Sequence, residues 1–198
     1  QNSASQECVK LQFCDFFILE NVRSNSSIEG FLFANCDNYV VRNCRASSNS
    51  DEGFNFANTA ANSSGNFLIE NCLADSNVQG FDMGDRNDNF TFISCVARSN
   101  TQRGFRFGVG GATSLDNGTM IGCIADTNSV DGFEVVQATN LTFIGCTAIS
   151  NTTTGFDLEV DSLRTRLIGC SASGNGTEYD IDGSQNLIIG NQIPIGAT

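Results

Sequence analysis

The chain has 198 residues, 40% of them apolar, which is enough for one domain with a sizeable core, so disorder is not the default. Charged residues are only 16%, yet 22 Asp and Glu against 10 Lys and Arg leave a net charge of −12, a balance that repels phosphate backbones and anionic lipid and argues against nucleic acid or membrane as partners. The absence of His excludes Ser-His-Asp and Cys-His nucleophile systems, histidine-ligated zinc and imidazole acid/base chemistry, which leaves carboxylates, Arg, Tyr and Cys for any catalysis.

In chain order, residues 1–7 form a polar tail too short for a capping helix. The start at Gln1 points to a processed or excised chain, and a piece of a longer protein is one reading. No apolar run is long enough for a membrane-spanning helix. Residues 8–193 are repetitive. Cys14-Asp15-Phe16-Phe17-Ile18-Leu19-Glu20-Asn21-Val22 matches the stretch from Cys36 to Cys44, 22 residues on. Gly-Phe then recurs at Gly30, Gly53, Gly80, Gly104, Gly132 and Gly155. A cysteine followed two residues later by alanine recurs at Cys44, Cys72, Cys95, Cys123, Cys146 and Cys170, with an asparagine five residues after each, from Asn49 to Asn175. Tyr179-Asp180-Ile181 and Leu187-Ile188-Ile189 continue the pattern without its cysteine, and residues 194–198 make a C-terminal tail.

Each repeat holds three short runs of period-2 alternation separated by Gly, Asn and Ser, which predicts three strands and three bends. The first strand is Phe-x-Phe, both aromatics inward. The second ends at Asn21, Asn43, Asn71, Ser94, Gly122, Gly145, Gly169 or Gly190, of which all but Ser94 are residues that tolerate a left-handed bend most easily. The third is Cys-x-Ala, small side chains inward. Such a unit cannot bury its apolar faces alone, so successive windings must stack, which predicts an all-β, single-stranded parallel β-helix of about eight coils, 22–28 residues each. Length varies between the first and second strands, at residues 57–66, 84–89, 108–117 and 136–140, which places the loops along one edge.

The register Asn/Gly-Cys-x-Ala-x-x-Asn, then Gly-Phe, then a short apolar strand, resembles the right-handed β-helix repeats of the pectin-lyase-like superfamily over nearly the whole chain. The resemblance implies a fold shared by lyases, hydrolases, epimerases, phage tailspikes and non-enzymatic virion proteins, and it does not by itself choose among them. It also implies that polysaccharide lies over the first strand.

The cysteines read as a ladder of small buried hydrophobes rather than a metal or redox site: no Cys-x-x-Cys occurs, and thiols in a straight file do not converge on one ion. Parallel in-register side chains have the wrong dihedral for disulfides, and unpaired buried thiols suit folding in a reducing compartment. Seven Asn-x-Ser/Thr triplets point the other way, but a chain this rich in Asn, Ser and Thr shows them by composition. Compartment stays open between a reducing interior and a virion or cell surface. The asparagine file reads as a turn ladder of amides.

Two outward columns carry the functional reading. On the first strand they are Leu32, Asn55, Asp82, Arg106, Glu134, Asp157 and Asp180. Glu134, Asp157 and Asp180, with Glu159 and Asp161 alongside, form an acidic stack expected to be a solvated face with weak saccharide or Ca2+ binding and no dedicated cofactor. An enzyme of the lyase or epimerase kind using Asp82, Arg106, Glu134 and Asp157 is the alternative, although no Arg stands convincingly opposite the acids. On the second strand the column Glu20, Arg42, Glu70 continues as Ile93, Ile121, Ile144, Ile168 and Ile189, with Leu73, Val96 and Ile124 beside it past the bend. If the column faces out, the stripe is a packing surface and predicts a homo-oligomer, a trimer above all. The competing reading rotates the isoleucines inward. A non-catalytic structural or surface-interaction module, such as a fibre or virion component, therefore leads.

Overall fold

The structure, a computed structural model, describes residues 7–58, 64–84, 86–108 and 115–191. All of the expected tail 1–7 except Glu7, the expected tail 194–198, and parts of three of the four expected loops lie outside the described residues.

The chain winds into a right-handed parallel β-helix of about seven turns with three parallel sheets. The first sheet stacks Val9–Gln12, Phe31–Ala34, Glu52–Ala57, Gln79–Met83, Phe105–Phe107, Phe133–Val135, Thr154–Leu158 and Thr177–Ile181. The second runs from Ile18–Glu20 through Asn87–Ile93 to Leu187–Ile189, with the short strands Leu115–Asp116 and Ala138–Thr139 beside that path. The third runs from Arg23–Asn25 to Ser171–Ser173, with seven strands among the described residues.

Each sequence column has a packing reason. The first aromatics of Phe-x-Phe stack between rungs, with Phe54–Phe81 ring centroids at 4.7 Å and Phe105–Phe133 at 4.8 Å, close to the interstrand spacing. The residues expected at the left-handed bend all have positive φ, from Asn21 at 60° to Gly190 at 62°. Cys95 and its equivalents sit at the corner just before the third strand, thiol inward, where Cys95 Sγ donates to the Ile69 carbonyl at 3.5 Å. All nine cysteines are free. The asparagines form a buried amide ladder in which Asn100 Nδ2 donates to Asn128 Oδ1 at 2.9 Å and Asn128 Nδ2 to Asn151 Oδ1 at 2.9 Å.

The Gly of Gly-Phe belongs to this interior lattice. A Cβ on Gly104 would lie 2.7 Å from the Gly132 carbonyl oxygen, 2.8 Å from Asn128 Nδ2 and 3.1 Å from Ala125 Cβ. The Gly, Ala and Asn columns are therefore one interlocking corner. Two successive positions, Gly and Phe, both face inward there, so the strand alternation slips by one residue.

Candidate functional site: a polar face on the first sheet

The slip in alternation creates the site. The residue before each Gly, which strict alternation would place inside, comes out beside the residue after each Phe. Glu52, Gln79, Arg103 and Asp131 thus join the column Asn55, Asp82, Arg106 and Glu134. Rungs are in register: Asp82 pairs with Arg106, Arg106 with Glu134, Glu134 with Asp157 and Asp157 with Asp180. The sequence reading missed the second column. A polar residue before every Gly-Phe was the available signal, since a charge cannot stay unpaired in an aromatic core.

The expected solvated acidic face is corrected by burial. Glu134 is 2% exposed, Asp131 3% and Asp82 8%, while Asp157 and Glu159 are half-buried and only Asp180 and Asp161 are open to solvent. The physical reason is that Arg103 and Arg106 fold back over the carboxylates. Arg103 Nε lies 2.7 Å from Glu134 Oε1 and 3.8 Å from Asp131 Oδ2, and Arg106 Nε lies 3.4 Å from Glu134 Oε2. Asp131 Oδ1 also accepts the Thr154 backbone N–H at 3.1 Å. The arginine that the sequence did not set convincingly against the acids is in place.

Carboxylate oxygens of Asp131, Glu134 and Asp157 lie within 4.8 Å of one another, a grouping able to hold a metal ion. Burial raises the Glu134 carboxyl above its usual range, and the two guanidiniums pull it back. Asp157 has no such relief. Burial and then the charges of Asp131, Glu134, Glu159 and Asp180 push it up to about 7. A carboxyl poised there can exchange a proton near neutrality or accept a hydrogen bond from a sugar hydroxyl. Asp161 lies on the exposed turn beyond Glu159 and is not among the charges that raise Asp157.

A second cluster sits toward the N-terminal end of the same face. Gln79 Nε2 donates to Glu52 Oε1 at 3.5 Å and to Asp82 Oδ2 at 3.4 Å. Burial, followed by the nearby charges of Asp51, Asp82 and Glu29, raises Glu52 to about 7. Asp82 is raised by burial and partly relieved by Arg106 and Arg103.

On the second sheet the inward file is Val41, Ile69, Phe92, Met120, Phe143 and Leu167, all buried. The alternate file faces out: Ile121 is 38% exposed, Ile144 39% and Ile189 49%, while Ile93 and Ile168 are half-buried. The inward-rotated reading of these isoleucines is thereby excluded. Ile124 of the third sheet is 37% exposed, with Leu73 and Val96 half-buried in line with it. The charges at the head of the file are paired, Arg42 with Glu20.

No protein-family profile and no curated protein matches the chain. Solved structures do. The fold is similar to that of the pectate lyase Pel9A, with 15% identity and a TM-score of 0.65 over 90% of this chain and 54% of that one. It is similar also to the periplasmic alginate epimerase AlgG, with 12% identity and a TM-score of 0.62 over 90% of this chain and 51% of that one. A third is the tailspike protein gp49 of Acinetobacter baumannii bacteriophage Fri1, a capsular polysaccharide depolymerase, with 13% identity and a TM-score of 0.57 over 88% and 39%. The chain spans about half the length of the first two and less of the third. At these identities the likeness is one of fold, the right-handed parallel β-helix.

Proposed function

We propose that the chain is a structural, surface-interaction module that packs against copies of itself along the isoleucine stripe, as a trimer, and seats a saccharide on the polar face of the first sheet. The observation that carries this reading is the outward-facing file Ile93, Ile121, Ile144, Ile168 and Ile189, exposed at Ile121, Ile144 and Ile189 and half-buried at the other two, an aliphatic ridge along a β-prism that an isolated chain would leave in water. A parallel-axis trimer buries such a ridge against its equivalents, as a fibre or virion component requires. Structures of the same fold that act on polysaccharides support the saccharide half of the reading. Half-buried carboxyls and guanidiniums suit it chemically, since they hydrogen-bond sugar hydroxyls in pairs.

A second reading is favoured by one specific arrangement. Asp157, its carboxyl pushed up to about 7 on the rung next to Glu134, is the kind of group a lyase or epimerase needs to take the proton next to a uronate carboxyl, and the guanidiniums paired with Glu134 are the groups that would hold that carboxyl. The two readings separate in one experiment. Immobilised neutral and uronate polysaccharides are tested for retention of the protein, and the same polymers are followed for unsaturated or epimerised products. Retention without turnover, weakened in Glu134→Gln, supports the module; turnover abolished in Asp157→Asn supports the enzyme. Neither retention nor turnover on any polymer removes the saccharide from the account.

A further inference from the structure

The aliphatic ridge straddles one corner of the prism, and its two flanks change character at the same height. On the second sheet the outward file reads Glu20, Arg42 and Glu70 on the first three rungs and isoleucine from Ile93 onward. Just past the bend, the third-sheet file reads Arg23 and Arg45 on the first two rungs, then Leu73, Val96 and Ile124. The two switches from charge to aliphatic side chains thus fall within one rung of each other. Inside one chain the charged head is only partly matched. Glu20 holds Arg42, and Asp75 holds Arg45 and Arg98, but among the described residues Arg23 and Glu70 form no ion pair. Arg23 is exposed and Glu70 half-buried.

We propose that this charged head fixes how copies of the chain meet: axes parallel and rungs level, with the second-sheet flank of one copy against the third-sheet flank of the next. The inference rests on the self-association proposed above and supplies its geometry. A corner turned toward a three-fold axis packs unlike flanks together, and rotation about that axis keeps equivalent residues at one height. Glu20 of one copy then faces Arg23 of the next on the same rung, and Arg45 stands one rung from both Glu20 and Glu70. Arg42 and Arg45 come level with each other, but each is already held by a carboxylate of its own chain. Lower down, Ile93 meets Val96 and Ile121 meets Ile124. Turning one copy end over end instead sets Glu20, Arg42 and Glu70 against the isoleucines of the far end, where each charge loses water and gains no partner. Sign and height together favour the level, parallel packing over an antiparallel pair.

A double-mutant cycle on assembly tests the pairing, read by sedimentation equilibrium of wild type, Arg23→Gln, Glu20→Gln and the double variant. Both side chains are exposed and Arg23 has no ion pair to lose within its chain, so the dichroism of all four proteins should agree. Each single variant should assemble about ten-fold more weakly than wild type. The double variant should be no weaker than the weaker single one, because either change breaks the same contact between copies. Losses that multiply in the double variant, no loss in either single variant, or a wild type of two chains overturns the level, parallel packing. The first two of these, seen with a trimeric wild type, leave the isoleucine reading standing. Wild type that stays a single chain at high concentration removes both.

Discussion

Arg103 and Glu134 lie on neighbouring rungs with Nε and Oε1 2.7 Å apart, and the pair closes the polar face from above. Glu134 is almost fully buried while the Arg103 side chain keeps 27% of its surface in water. Removing the cation strands the anion, and removing the anion returns a guanidinium to solvent. Arg103→Met should therefore cost about 2 kcal/mol, and Glu134→Gln less than about 1 kcal/mol, by urea denaturation. Equal costs would show that the carboxylate is not the dependent partner.

The corner lattice makes a sharper prediction about two glycines. Gly104→Ala drives a methyl against the Gly132 carbonyl, Asn128 and Ala125, whereas Gly145→Ala meets nothing within 4 Å and pays only for its φ of +59°. The first should destabilise by roughly 3 kcal/mol or fail to fold, and the second by about 1 kcal/mol. Chemical denaturation of the two proteins side by side checks the order.

How stability varies with pH should run against the usual direction for an acidic protein. Glu52 and Asp157 are raised to about 7 and Asp82, Asp131 and Glu134 are raised as well. Between about pH 4 and pH 7 the folded chain holds protons on these groups that the unfolded chain has released, so stability is greatest in acid and falls as pH rises through 7. For Glu52, buried among like charges, the loss is on the order of 2 kcal/mol; half-exposed Asp157 adds less after solvent screening. Melts of the Ca2+-free protein from pH 5 to pH 8 should fall by several degrees, and Glu52→Gln should flatten the slope. A melting point that rises over that interval contradicts the burial of these carboxyls.

Most of the fold was legible because a solenoid repeats its physics. Six copies of Gly-Phe, Cys-x-Ala and Asn state the same corner six times, and the structure shows why each member is needed. The outward columns were legible too, since alternation is strict along the Phe-x-Phe and apolar strands. Half of the polar site was not. Glu52, Gln79, Arg103 and Asp131 stand where alternation says inside, and only the two consecutive inward positions at Gly and Phe bring them out. Nor could one dimension of sequence show that Arg103 and Arg106 cover the acids, which turns a solvated face into a buried cluster.

The isoleucine file is the feature on which the proposed assembly depends, and sedimentation equilibrium of wild type against the Ile121→Asp/Ile144→Asp double variant addresses it most directly. Both substituted side chains point to solvent in the single chain, so the variant should keep its fold. The account predicts a mass near three chains for wild type and one chain for the variant, with the same β-rich dichroism. Wild type that sediments as one chain at high concentration would contradict it.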